Sequence, residues 1–147
     1  MYFKRTLYPL ALLLLYQQSA VASELNPIIT VYTTSNYAIS HQEMVTNIYF
    51  LDQVERIEDE ISRDFNTNPM IAEQQARDLF NSPQWKMQEK QLLSAYQGII
   101  SSWQHGIKKV PAILFEYENV PATVVYGETN VLSAKQHWLA WFDQQRQ

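Results

Sequence analysis

Residues 110–126, VPAILFEYENVPATVVY, contain the pattern that decides the fold. The almost unbroken apolar run over residues 110–115 is typical of a strand that is covered on both faces. Glu118-Asn119 is a turn signal, and residues 123–126 form a second run with high β-propensity. The sequence therefore predicts an antiparallel hairpin, which Gly127 ends.

A helix is predicted directly after this hairpin, and two strands are predicted near the start of the chain. Residues 28–33, IITVYT, indicate a mostly buried strand, and residues 45–51 indicate a second, shorter one after a polar break. The helix covers about residues 130–143. Its predicted inner face consists of Val131, Ala134, Trp138, Trp141 and Phe142.

Three further helices are predicted between the second and third strands. Asp52 is expected to cap the first, with Glu55 completing a capping box. Asn68-Pro69 and Ser82-Pro83 start the other two, and Gly106 ends the last in a left-handed cap. The predicted buried faces are Val54, Ile57, Ile61 and Phe65; then Ala72, Ala76, Leu79 and Phe80; then Trp85, Leu92, Tyr96, Ile99, Ile100 and Trp103.

The first 22 residues have the pattern of a secretory signal. Lys4-Arg5 precedes an apolar run over residues 10–15, and Ala20-Val21-Ala22 supplies a cleavage site before Ser23. The alternative is an uncleaved membrane anchor, but the run is about half of the roughly 20 apolar residues that a spanning helix needs. We predict export to the periplasm, no membrane span after cleavage, and one domain over residues 23–147.

Charge and cysteine content restrict the function. Loss of Lys4 and Arg5 leaves 9 basic residues against 15 acidic ones, and Lys108-Lys109 is then the one adjacent basic pair. Direct nucleic-acid binding normally requires a basic patch, so it is disfavoured. The chain has no cysteine, so it cannot exchange disulfides or build a thiolate metal site.

The final strand–strand–helix unit resembles the C-terminal half of thioredoxin-like proteins. These proteins place a cis proline before the corresponding strand, and Val110-Pro111 matches that position. Residues 31–36 look like the strand end that leads to the Cys-x-x-Cys motif of periplasmic disulfide isomerases, but Tyr37 and Ser40 stand where the cysteines would be. The resemblance implies an α/β fold: a thioredoxin-like mixed sheet flanked by helices, with a helical insertion at about residues 52–105, and no redox activity.

A closer resemblance covers nearly all of the predicted mature chain. The chain resembles a family of proteins of unknown activity that integrating conjugative elements encode. The likeness is carried, in order, by residues 31–34, 51–52, 54–58, 95–98, Trp103, 106–112 and 124–127. It implies a periplasmic accessory of a conjugative, type IV secretion-like apparatus, with other periplasmic conjugation or secretion proteins as partners.

Catalytic and metal-binding patterns are weak. His41, His105 and His137 lack the spacing of a helical zinc site, and no G-x-S-x-G elbow is present. Glu55, Glu58, Asp59 and Glu60 are expected on a solvated helix face. We therefore predict no cofactor, no metal site and no catalytic residues. Trp103, Trp138 and Trp141 are expected in the core.

The remaining candidate is a protein-binding groove between the loop after the first strand and the Val110-Pro111 turn. In the thioredoxin-like fold these two segments lie side by side, and the residue before the proline offers its backbone to an extended peptide. The alternatives are an inert loop beside a structural proline, a periplasmic chaperone for exported pilus or secretion subunits, and a cysteine-independent enzyme. The candidate binding residues are Thr34, Ser35, Asn36, Tyr37, Ser40, His41, Val110 and Pro111.

Overall fold

The computed structural model describes residues 25–146. They form four strands and four helices in the order β1, β2, α1, α2, α3, β3, β4, α4, with one 3₁₀ turn at Gln42–Met44 between β1 and β2. The bounds are β1 Ile28–Thr33, β2 Asn47–Phe50, α1 Gln53–Arg63, α2 Pro69–Phe80, α3 Pro83–Gln104, β3 Ala112–Tyr117, β4 Val120–Tyr126 and α4 Val131–Gln145. The predicted signal segment, residues 1–22, lies outside the described residues.

The strands form one mixed sheet with the spatial order β2-β1-β3-β4. β1 runs parallel to β2 and antiparallel to β3, and β3 pairs antiparallel with β4. The predicted α/β class, the hairpin and the three helices between the second and third strands are confirmed. Among the described residues, no helix is both long and apolar enough to cross a membrane.

One face of the sheet packs against α4. Trp138 lies between Phe115 and Phe142, with ring centroids 5.6 and 5.2 Å apart, and both pairs are stacked. Val131, Ala134, Trp138 and Phe142 are buried, as predicted, whereas Trp141 is half-buried. This face therefore contains the main apolar core.

The opposite face of the sheet packs against α3, whose buried positions are small residues. Ala95, Gly98 and Ser102 are the buried positions of α3. A Cβ atom at Gly98 would lie 3.0 Å from the Cβ of Tyr49 in β2, so the helix approaches the sheet as closely as a residue without a side chain allows. Tyr49 in turn stacks on the fully buried Tyr32, with 5.7 Å between ring centroids.

The predicted inner stripe of α3 is wrong for three of its residues. Tyr96, Ile100 and Trp103 are 41, 50 and 78% exposed, so Trp103 is not a core residue. Apolar side chains cover a broad sector of this helix, and periodicity alone cannot decide which part of it faces inward. Gly98 faces Tyr49 of β2 and Ala95 packs with Val54 and Ile57 of α1, so these contacts leave the other side of the apolar sector in solvent.

The helix ends agree with prediction except at Asp52. The side chains of Asn68 and Ser82 accept hydrogen bonds from the N–H groups of Met70 and Trp85, respectively. α3 ends in a Schellman motif: Gly106 has φ +65°, and the Ile107 N–H donates to the Ser102 carbonyl at 2.9 Å. The Asp52 side chain makes no cap hydrogen bond, so the predicted capping box is wrong. In α2, Phe80 is 53% exposed, which also corrects its predicted burial.

We expect Gly98→Ala to lower the free energy of unfolding by about 1 kcal/mol. Forcing a methyl group against Tyr49 costs about 1–3 kcal/mol, and the better helix propensity of alanine returns about 1 kcal/mol of it. Equilibrium unfolding in urea measures the difference. A matched substitution, Ser94→Ala on the exposed side of the same helix, should change stability by less than about 0.5 kcal/mol. A Gly98→Ala protein more stable than the natural one would contradict the close packing.

Candidate functional site

Three strands end and one begins at the same edge of the sheet. β1 and β2 run parallel, and β4 runs in the same direction as β1 because β3 is antiparallel to both. The loops after Thr33, Phe50 and Tyr126 therefore meet the segment that enters β3. Ala112 pairs with Tyr32 on one side and with Tyr126 on the other, which places Val110-Pro111 at the centre of this edge.

Val110-Pro111 is a cis peptide, as the thioredoxin-like resemblance implies. Pro111 is buried, and its carbonyl accepts a hydrogen bond from the Gly127 N–H at 2.9 Å. Val110 is half-buried, and neither its N–H nor its C=O has a hydrogen-bond partner within residues 25–146. Unpaired backbone groups before the start of β3, at this end of the sheet, can pair with an extended segment of another chain.

The first half of the loop after β1 is fixed by Asp52. The Ser35 N–H donates to both Asp52 carboxylate oxygens at 3.1 Å, and the Ser35 hydroxyl donates to Oδ2 at 2.5 Å. Partial burial acts to raise the pKa of Asp52, but these hydrogen bonds outweigh it and hold the pKa below its usual value. Asp52 thus positions the loop instead of capping α1.

The loop then makes a turn that exposes an aromatic side chain. The Tyr37 N–H donates to the Thr34 carbonyl at 3.1 Å, which closes a four-residue turn. The β1–β3 register, continued two residues beyond Tyr32, places Thr34 opposite Val110. Tyr37 is 41% exposed, and Ser35 and Asn36 are exposed beside it. This turn and Val110 therefore share the edge, as the groove hypothesis requires.

The second half of the loop belongs to a different contact. Ser40 forms a parallel bridge with Asn130: its N–H donates to the Thr129 carbonyl at 3.0 Å, and its carbonyl accepts from the Val131 N–H at 3.2 Å. His41 adopts a left-handed conformation with φ 59°. Its Nδ1 atom is buried and has no partner within the described part of the chain. The structure joins Ser40 to the start of α4, not to Val110-Pro111.

Two lysines border Val110, and neither has a carboxylate partner among the described residues. The Lys109 ammonium lies 5.4 Å from the ring centroid of Tyr126, and the Lys108 N–H donates to the Tyr126 hydroxyl at 3.4 Å. Glu128 lies close by in sequence, but its carboxylate accepts from the N–H groups of Thr129 and Asn130 and from the Ser133 hydroxyl. Positive charge is therefore available at this edge of an acidic protein.

A second polar cluster connects α3 to the sheet. The Tyr32 hydroxyl lies 2.7 Å from the Ser101 hydroxyl and 3.1 Å from His105 Nδ1, and His105 Nε2 lies 3.6 Å from Glu116. His105 Nδ1 is also 2.9 Å from the Ser101 carbonyl, so Tyr32, Ser101 and His105 share one hydrogen-bond network.

Sequence reasoning missed Asp52, Lys109 and Tyr126 as parts of this edge. The available signal was position: each lies within three residues of a strand end that the topology brings to one side. The acidic side chains Glu55, Glu58, Asp59 and Glu60 are exposed, as predicted. Within residues 25–146, no group of three or more potential ligands could hold a metal ion.

The fold and the edge define a small mixed α/β protein with an open, partly cationic sheet edge and a cis proline at the start of its third strand. Residues 26–144 match the family described as "Protein of unknown function (DUF1525)", and the chain belongs to that family. No curated protein and no solved structure matches the chain.

Proposed function

We propose that this protein is a periplasmic accessory or scaffold protein of the conjugative, type IV secretion-like system of an integrating conjugative element. It acts by binding an extended segment of another secretion component, without redox activity of its own. The observation that carries the proposal is the pair of unpaired main-chain groups of Val110 at the open sheet edge.

The thioredoxin-like relation is supported by topology. The strand order β2-β1-β3-β4, with β1 and β2 parallel and β3 antiparallel, fits that architecture, and so does a cis proline before β3. One connection differs. Only a loop with a single 3₁₀ turn joins β1 to β2, and it holds Tyr37 and Ser40 where the resemblance expects the cysteine pair. The absence of cysteine favours recognition over electron transfer as the use of this edge.

The groups around Val110 favour binding of an extended peptide. A peptide that pairs with the Val110 N–H and C=O would gain main-chain hydrogen bonds, as in other β-augmentation sites. Exposed Tyr37 supplies apolar contact area on one side, and Lys109 supplies charge on the other. Asp52 holds the Ser35 turn in place, so the loop is pre-ordered and less entropy is lost on binding.

The sequence supports the proposed periplasmic location and the proposed role in conjugation. The signal-like residues 1–22 favour export, and the resemblance to proteins of integrating conjugative elements favours a role in conjugation. The net negative charge disfavours direct contact with DNA, so the protein is proposed to serve transfer through protein partners.

We expect Tyr37→Ala to lower conjugative transfer at least tenfold while leaving the protein level unchanged. Tyr37 is 41% exposed, and its side chain makes no hydrogen bond or ring contact with the described residues. The measurement is transfer frequency from donor cells that carry the whole element. Met70→Ala, which removes an apolar side chain that is 82% exposed on α2, is the control. Normal transfer by a normally abundant Tyr37→Ala protein would contradict a role for this edge.

Two measurements separate the proposal from its alternatives. Turnover in an insulin-reduction assay would favour an enzyme on this scaffold. Pull-down from cells with the complete element should recover assembled secretion components. Recovery of unassembled pilus or secretion subunits alone would favour the chaperone alternative.

A further inference from the structure

α3 carries a continuous apolar stripe that no described residue covers. Leu93, Tyr96, Ile100 and Trp103 are 62, 41, 50 and 78% exposed. Scattered exposed apolar residues are common on protein surfaces, but a contiguous row that includes a mostly exposed tryptophan marks an interaction surface. We refer to these four residues as the α3 stripe.

The spacing of the α3 stripe is that of a coiled-coil seam. Its residues follow one another at intervals of three, four and three, the alternation of a and d positions in a heptad. At 1.5 Å of rise per residue the row is about 15 Å long, close to three helical turns. A surface with this shape fits the apolar face of one other helix, packed alongside at a shallow angle.

The charge on the α1 side of the α3 stripe is negative. The Tyr96 hydroxyl donates to the Glu58 carboxylate at 3.2 Å, which places the acidic side of α1 directly next to the stripe. This hydrogen bond raises the pKa of Tyr96. Glu55, Asp59 and Glu60 are also exposed on α1, and the helix has only two basic residues, Arg56 and Arg63. A partner helix with basic residues along its flank complements this surface.

The same negative charge disfavours a second copy of this chain, and also an anionic lipid surface, as the occupant of the α3 stripe. Tyr96 lies near the middle of the α3 stripe, so a twofold pairing of two copies would bring their Glu58 carboxylates toward each other at the axis. An anionic lipid surface attracts amphipathic helices with Lys and Arg along the apolar face, whereas the Glu58 carboxylate lies next to the middle of this stripe on its α1 side.

We propose that the α3 stripe is the docking site for an amphipathic helix of a partner protein, with apolar residues at heptad spacing and basic residues on its flank. This site lies on the helices between β2 and β3. It is separate from the sheet edge at Val110-Pro111 and does not depend on the function proposed for that edge.

The test uses two blocked 21-residue helical peptides with leucine at the a and d positions. One peptide has lysine at its e and g positions, and the other has glutamate there. Fluorescence anisotropy of the labelled peptides with the purified protein should show binding of the lysine peptide at least tenfold tighter than that of the glutamate peptide. Trp103→Ala and Leu93→Ala should each weaken binding of the lysine peptide at least fivefold.

Met87→Ala is the matched control, because Met87 is 64% exposed on a different side of α3 and should leave binding unchanged. Glu58→Gln should weaken binding of the lysine peptide alone. Tyr37→Ala should have no effect, which separates this site from the sheet edge.

Several results would overturn the proposal: no binding of the lysine peptide, equal binding of both peptides, or full binding by Trp103→Ala. So would a dimer in sedimentation equilibrium that Trp103→Ala dissociates, since a second copy would then cover the stripe. Binding of the protein to anionic vesicles that Trp103→Ala abolishes would assign the stripe to a membrane instead.

Discussion

Trp138→Ala is expected to lower the free energy of unfolding by about 3–5 kcal/mol, the range for removing a large buried aromatic side chain. Trp138 is 2% exposed and stacks on Phe115 and Phe142, so its removal leaves a cavity between α4 and the sheet. Its indole N–H has no hydrogen-bond partner among the described residues, so the lost energy is that of packing. Urea or guanidinium unfolding at equilibrium provides the measurement.

Trp103→Ala is the matched control for this prediction. It removes the same side chain from a position that is 78% exposed, so the free energy of unfolding should change by no more than about 0.5 kcal/mol. The pair separates two uses of tryptophan in one chain: one holds the core together and the other lies on the surface. Equal losses in the two proteins would show that Trp103 is buried and would contradict the orientation of α3.

Tyr32→Phe is expected to lower the free energy of unfolding by about 1–2 kcal/mol at neutral pH. The ring remains between Tyr49 and the inner strands, but Ser101 and His105 lose the hydroxyl that connects α3 to β1. Burial raises the pKa of Tyr32, and the nearby Tyr49 and Glu116 act in the same direction against the Ser101 hydrogen bond.

The raised pKa predicts alkaline destabilisation of the natural protein. A tyrosine whose pKa is higher in the folded state contributes its full stability below the unfolded value of about 10 and loses it as the pH rises above that. The stability advantage over Tyr32→Phe should therefore shrink above about pH 10, by at most about 1.4 kcal/mol per pH unit for one proton. Urea unfolding from pH 8 to 10.5 tests this. Parallel pH profiles for the two proteins would contradict it.

The candidate edge was predictable in part. The match of Val110-Pro111 to a cis-proline position and the place of Tyr37 after the first strand came from local sequence and resemblance. Ser40 and His41 were grouped with them because they are neighbours in sequence. The structure separates them, because Ser40 pairs with the chain entering α4. Sequence distance does not report such a pairing.

Asp52 shows why a local motif is open to more than one use. An aspartate before a helix, with a glutamate three residues later, fits a capping box. In the folded chain, the parallel pairing of β1 and β2 brings Ser35 to the same carboxylate, and the side chain binds there instead. Only the formation of the sheet brings Ser35 close enough to bind the Asp52 carboxylate.

The order and type of the strands and helices, the two Ser/Asn-Pro helix starts and the Gly106 cap were determined by the sequence itself, because they depend on residues close together along the chain. The face of α3 that is buried was decided only by tertiary structure. Its apolar sector is broader than the sheet can cover, and the contact between Gly98 and Tyr49, 49 positions apart in sequence, selects the small residues for the inside. This orientation of α3 about its own axis leaves Trp103 in solvent, because a close helix–sheet approach has no room for an indole ring.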